Sequence, residues 1–329
     1  MAQNILLTGV TGFIAKRIAQ DLLAAGHEVC GSLRSPAREG EVRAALGDPE
    51  ALSFATLDLS SDDGWAAAME GRDALLHTAS PFPLEDPKHE DELIRPAVDG
   101  TLRALRSAQA AGVTRVVLTS SVVAMIHADR PKGHLYGPGD WTDLDHPTSR
   151  AYVKSKTLAE RAAWDFVADH PEMELTVINP GFVLGRPLDG KFGTSLSVIE
   201  RILGGKDPAV PDLGFPTVDV ADVSRLHVEA LARPATIGKR IVAAGDYRTM
   251  PEIAALLKDA YPGRKITTRV APRWLLRVIG LFDPAVRSIT PQVGFHTPTD
   301  NSETRAIYEM EFIPARDAIL ASADAVLTA

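Results

Sequence analysis

Thr8-Gly9-Val10-Thr11-Gly12-Phe13-Ile14-Ala15 is the stretch on which the reading of this chain turns. The run Ile5–Thr8 before it has the length and apolar character of a short buried strand. Gly12–Ala25 after it carries Ile14, Ile18 and Leu22 four apart, one stripe of a helix, and Gly26 stands where such a helix ends. A glycine-bearing turn from strand to helix lets a pyrophosphate rest on backbone N–H groups at the positive end of the helix. Gly9 permits the tight turn, Gly12 the close approach, and the small Ala15 lets the helix lie against the strand. A plain βα turn can also hold glycines. The strand before, the helix after and the place in the chain favour a dinucleotide site.

Outward from this turn, β-rich runs alternate with amphipathic stretches. The strand runs are Ile5–Thr8, Glu28–Leu33, Leu52–Thr56, Ala74–Thr78, Arg115–Thr119 and Leu175–Asn179, with a late one at Arg240–Ala243. Helical patterns include Gly12–Ala25, Pro96–Ala111 and Ser149–Ala168. Such alternation predicts parallel strands covered by helices on both faces. The fold expected is α/β, a doubly wound parallel-sheet Rossmann fold with a smaller C-terminal substrate lobe. Residues 1–180 are assigned to the nucleotide-binding part, with returning segments near 217–245, and 181–329 to the lobe. Apolar Trp274–Phe282 is read as lobe packing.

Composition narrows the function. The 329 residues are 45% hydrophobic and 24% charged, as in a folded globular protein. The net charge of −8 and the lack of any Lys/Arg block speak against nucleic acid or an anionic membrane as partner. No apolar run approaches the ~18 residues of a membrane span. The first residues lack the cationic flank of a secretory signal, so they read as a strand. One cysteine, Cys30, excludes an internal disulfide, and the nine histidines show no metal-ligand spacing, so no metal is assigned. A cytoplasmic protein acting on something small, as a monomer or homodimer, is expected. His77 is read as packing at a strand end and His127 as a solvated loop residue. Lys88–Leu93 is read as a solvated helix start.

The second strand's end names the cofactor. An acid there would bind the ribose 2′-hydroxyl of NAD. Val29–Arg38 contains none. Arg34, with Arg38 as a second candidate, can instead hold a 2′-phosphate, which points to NADPH/NADP over NADH. Asp58, followed by Leu59, sits where a carboxylate could hold an adenine amino group.

Tyr152 and Lys156 lie four apart at the start of the long helix Ser149–Ala168, hence on one face. A phenol near its reference pKa of about 10 is a poor acid at neutral pH. An adjacent ammonium stabilises the phenolate, lowers that pKa and makes proton donation to an alkoxide feasible. Ser121, just past the fifth strand, would come from a neighbouring strand end and polarise a carbonyl. Tyr261 and Lys265 repeat the spacing, but Pro262-Gly263 breaks the helix that would align them.

With these residues in view, the chain resembles an extended short-chain dehydrogenase/reductase of the dihydroflavonol 4-reductase, cinnamoyl-CoA reductase and aldehyde reductase branch. The resemblance also rests on His77–Pro81, Val98–Leu102, Ser155–Glu160, Ile178–Gly185 and Val218–Val223. It implies Ser121, Tyr152 and Lys156 as catalytic, with Ser120 a near miss. Gly9, Thr11, Gly12, Phe13, Ile14, Arg34, Asp58, Leu59, Thr78, Ala79, Ser80, Tyr152, Lys156, Pro180, Gly181, Val183 and Ser195 are implied to line the cofactor. A second basic contact expected past Arg34 falls near Glu41, leaving Arg38 or Arg43 to supply it. The implied reaction is NADPH-dependent reduction of a small aldehyde or ketone. A nucleotide-sugar epimerase or dehydratase with bound NAD, and a non-catalytic NADPH sensor, are the alternatives.

Overall fold

The computed structural model describes residues 2–81, 87, 89–191, 193–282 and 284–328. Among these residues the strands are β1 (Asn4–Thr8), β2 (Glu28–Leu33), β3 (Leu52–Thr56), β4 (Ala74–His77), β5 (Arg115–Thr119), β6 (Glu174–Pro180), β7 (Phe182–Leu184), β8 (Gly214–Asp219), β9 (Lys239–Ala243) and β10 (Tyr247–Thr249). The helices of the first half are α1 (Phe13–Ala24), α2 (Glu39–Leu46), α3 (Trp65–Met69), α4 (Asp91–Ala110), α5 (Val123–Ile126) and α6 (Ala151–Ala168). Those that follow are α7 (Thr194–Gly204), α8 (Val220–Ala230), α9 (Met250–Ala260), α10 (Arg273–Ile279), α11 (Pro284–Ile289), α12 (Ser302–Tyr308) and α13 (Ala315–Thr328).

Seven strands form one sheet in the order β3-β2-β1-β4-β5-β6-β9, every neighbouring pair parallel. The period of two in a strand explains the two cores on either side. Ile5, Leu7, Ala74, Leu76, Val117 and Ile178 point into one with Ile18 and Leu22 of α1 and Val223 and Leu226 of α8. Leu6, Leu75, Val116, Leu118, Leu175 and Val177 point into the other with Trp65, Ala104, Leu105 and Ala163. Each fully buried aliphatic side chain contributes about 1.5–3 kcal/mol, so these two layers hold the sheet.

A three-stranded sheet, β10-β8-β7, carries the later elements, with β7 parallel and β10 antiparallel to β8. Its own core joins Leu196, Ile199 and Leu203 of α7 to Ile253 and Leu257 of α9 and Ile319 of α13. The late run Arg240–Ala243 pairs with β6 in the main sheet.

Two expectations change. The helix expected from Pro96 begins at Asp91 and runs through Pro96, which gives up one amide bond while Ala97, Gly100 and Ala104 stay buried beside α6. Glu90 to Leu93 open it, whereas Lys88 lies outside the described residues. Trp274–Phe282 packs only in part: α10 buries Leu276, but Trp274, Leu281 and Phe282 stand exposed, because a short helix can turn one stripe inward.

Candidate active site

The sheet order reverses at β1, since the chain moves outward through β2 and β3 and then returns to β4. At such a reversal the carboxyl ends of two strands open a crevice. Gly9 lies there with φ +70°, and a Cβ on it would stand 3.0 Å from the Cα of Ala79. Gly12 donates its N–H to the Gly9 carbonyl at 2.9 Å and caps α1 without any side-chain hydrogen bond to the first amides. A cradle that one Cβ would fill, at an uncapped helix N-terminus, fits a pyrophosphate. Thr11 is half-buried, and Phe13 and Ile14 seat their side chains partly against the core. Ala15 is buried against the sheet, as its size suggested.

Across the crevice, the N–H groups of Thr78 and Ala79 both donate to Thr8 Oγ1 at 3.0 Å. Ser80 follows, half-buried. At the end of β2, Arg34 is exposed and lies near Asp58. The Arg38 guanidinium forks onto Glu41, with Nη2–Oε1 at 2.9 Å and Nε–Oε2 at 3.1 Å. Those bonds, aided by Lys191 and Lys16, hold the Glu41 carboxyl down to about 2. The i,i+3 spacing of Arg38 and Glu41 was the signal for this pairing. Asp58 accepts from the Ser60 N–H (2.7 Å) and hydroxyl (2.6 Å), which keep it below the usual carboxylate range. Leu59 packs where a Cβ on Gly100 would approach its own Cβ to 2.8 Å.

On the far side, α7 begins with Ser195 in its first turn, and a Cβ on its cap residue Gly193 would lie 3.7 Å from Phe13. Asp189 in the preceding segment pairs with Lys16 of α1. Pro180 ends β6, Val183 is buried, and Gly181 lies so near β8 that a Cβ would fall 2.1 Å from the Pro216 carbonyl oxygen.

Ser121 follows β5, and its hydroxyl hydrogen-bonds with Tyr152 at the start of α6. Ser121 Oγ also accepts the Val123 N–H at 3.3 Å and stands 3.4 Å from the Pro180 carbonyl. Lys156 is buried one turn beyond Tyr152. Loss of water takes its ammonium down to about 8, against the pull of the Glu160 carboxylate. The phenol departs from expectation: burial pushes Tyr152 up to about 12, outweighing the Ser121 bond. It therefore stays protonated at neutral pH, the form a proton donor requires. His77 packs at a strand end as expected. His127 is not solvated; it is buried, with Nδ1 2.6 Å from Thr148 Oγ1.

Glu160, Asn179 and Arg240 form a buried polar cluster behind Ser121 that sequence reasoning left without a role. Among the described residues no group of His, Cys, Asp or Glu is placed to hold a metal, and no helix is long and apolar enough to cross a membrane.

Residues 5–245 match the model of the NAD dependent epimerase/dehydratase family. The chain belongs to that family. Within it, the chain is 32% identical over 272 residues to cinnamoyl-CoA reductase 1 of Arabidopsis thaliana, covering 81% of this chain and 77% of that one. It is 30% identical to the NADPH-dependent methylglyoxal reductase GRE2 of Saccharomyces cerevisiae, covering 79% and 83%. The crystal structure of yeast methylglyoxal/isovaleraldehyde reductase Gre2 complexed with NADPH superposes with a TM-score of 0.84 at 26% identity, over 99% of this chain and 98% of that one. The fold shared with that structure is the Rossmann-like arrangement described above.

Proposed function

We propose that the chain is an NADPH-dependent carbonyl reductase that converts a small aldehyde or ketone to an alcohol. The observation that carries the reading is the Ser121–Tyr152 hydrogen bond, with Lys156 one turn along the same helix, on the strand-end side of the sheet where the glycine cradle lies. Relatives named as an NADPH-dependent methylglyoxal reductase and a cinnamoyl-CoA reductase support it.

Gly9, Thr11, Gly12, Phe13 and Ile14 would hold the pyrophosphate and Arg34 the 2′-phosphate. Asp58 and Leu59 would flank the adenine, and Thr78 to Ser80, Pro180, Gly181, Val183 and Ser195 the remainder. When bound, NADPH supplies the hydride. Ser121 holds the carbonyl oxygen by donating its hydroxyl proton in a hydrogen bond. Tyr152 transfers its phenolic proton to the alkoxide oxygen as it forms, and the Lys156 ammonium stabilises the phenolate left behind. In this reading residues 1–180 with 217–245 position the cofactor, and 181–329 shape the substrate lobe. A cytoplasmic monomer or homodimer completes it.

Tyr152→Phe tests the assignment. The expected result is a kcat loss of about 10²–10⁴-fold with NADPH binding intact. Full turnover in that variant overturns it.

A further inference from the structure

Glu160 is buried on α6, one turn beyond Lys156 and two beyond Tyr152. A carboxyl group withdrawn from water needs hydrogen-bond partners on both oxygens. Here both have them. Oε1 accepts from Arg240 Nε at 2.5 Å and from Trp164 Nε1 at 3.4 Å. Oε2 accepts from the Ser120 hydroxyl at 2.5 Å and from Asn179 Nδ2 at 2.7 Å.

The two donors on Oε2 directly precede Ser121 and Pro180, the latter a contact of the Ser121 hydroxyl. Ser120 precedes Ser121 at the end of β5. Asn179 precedes Pro180, whose carbonyl lies 3.4 Å from Ser121 Oγ. Asn179 Nδ2 also donates to the Ser121 carbonyl at 3.2 Å, so both its hydrogens are used and the amide cannot be reversed without turning its oxygen on the carboxylate. Arg240 anchors the other side: it donates to the carbonyls of Pro138 (2.8 Å) and Asp140 (2.5 Å) and lies 3.8 Å over the Trp141 ring.

We propose that Glu160 is a positioning residue for the reduction: through Ser120 and Asn179 it sets where Ser121 presents its hydroxyl, and from one turn along the same helix it places a carboxylate beside Lys156. The proposal rests on the carbonyl-reductase reading above. Tyr152 and Glu160 share the helix of Lys156, neutral His77 comes from β4, and Arg240 of β9 stands behind Glu160. The buried residues of α4 and α5 are uncharged.

The experiment compares E160Q, S120A and Y152F with the full-length wild type by steady-state kinetics from pH 6 to 10, NADPH fluorescence titration and thermal melting. E160Q is expected to lower kcat roughly 10- to 100-fold with KM and NADPH affinity within about twofold, as misplaced catalytic groups do. Its alkaline limb is expected to move to lower pH, because Lys156 loses the charge that opposes its desolvation. A merely structural Glu160 would lower the melting temperature and leave that limb in place. S120A keeps the ion pair and is expected to lower kcat about 3- to 10-fold at unchanged KM. A folded E160Q with wild-type kcat and an unmoved alkaline limb overturns the proposal. Should E160Q fail to fold, wild-type kcat in S120A overturns it. Y152F separates the two levels: inactive Y152F beside a wild-type E160Q overturns this proposal alone, whereas active Y152F overturns the reading beneath it.

Discussion

Thr8 Oγ1 and His77 Nδ1 lie 2.9 Å apart at the ends of neighbouring strands, and the contact defines the state of the histidine. Thr8 Oγ1 already accepts the N–H groups of Thr78 and Ala79, so its own proton goes to His77 Nδ1. His77 is then the Nε2–H tautomer, and that Nε2 has no partner in its buried position. The expected outcome is one neutral Nε2–H imidazole throughout pH 5–9, checked by long-range ¹H–¹⁵N correlation spectra. A cation above pH 5, or protonated Nδ1, contradicts it.

Acid should unfold the protein in a defined direction. Burial, with Lys156 nearby, takes His77 down to about 3, and burial takes His127 and His227 down to about 4. The unfolded chain binds these protons near pH 6.5, the folded one only at lower pH. Where the unfolded state binds more protons, stability rises with pH. This contribution is complete above about 6.5 and is lost as pH falls toward 4 and then 3. The melting temperature is expected to fall over that window. His227→Gln, which has no proton to gain, should flatten part of the slope.

Gly9→Ala places a Cβ on a residue at φ +70° and 3.0 Å from the Cα of Ala79. The left-handed backbone alone costs roughly 1–2 kcal/mol for a residue with a Cβ. Denaturant unfolding should show at least that loss, and NADPH affinity should fall with it because the cradle shifts. Gly26→Ala, also left-handed but with open space around it, serves as the control: it should lose stability and keep affinity.

Arg34 and Arg38 should separate in cofactor choice. Arg34 is exposed at the end of β2, while Arg38 is engaged by Glu41. Arg34→Ala is expected to weaken NADPH by about 10-fold or more and leave NADH nearly unchanged, since a hydrogen bond to a charged group contributes about 1.5–3 kcal/mol. Arg38→Ala should alter NADPH affinity less. Fluorescence titration with both cofactors decides, and equal loss for the two cofactors in Arg34→Ala refutes the phosphate contact.

The parts of this protein that its sequence determined are short-range. The turn from Thr8 to Ala15 shows itself because strand, glycine and helix follow within a few residues. Tyr152 and Lys156 share a face because four residues make nearly one helical turn. The parallel sheet follows from apolar strands that alternate with helices. What only the tertiary structure decided depends on distant residues meeting out of water. Glu160 and Arg240 are 80 positions apart, and Thr8 and His77 69 apart, so no local pattern announces either pair. The same burial reversed the expectation for Tyr152: an ammonium one turn away is readable in the sequence, but the water a phenol loses is set by everything packed around it.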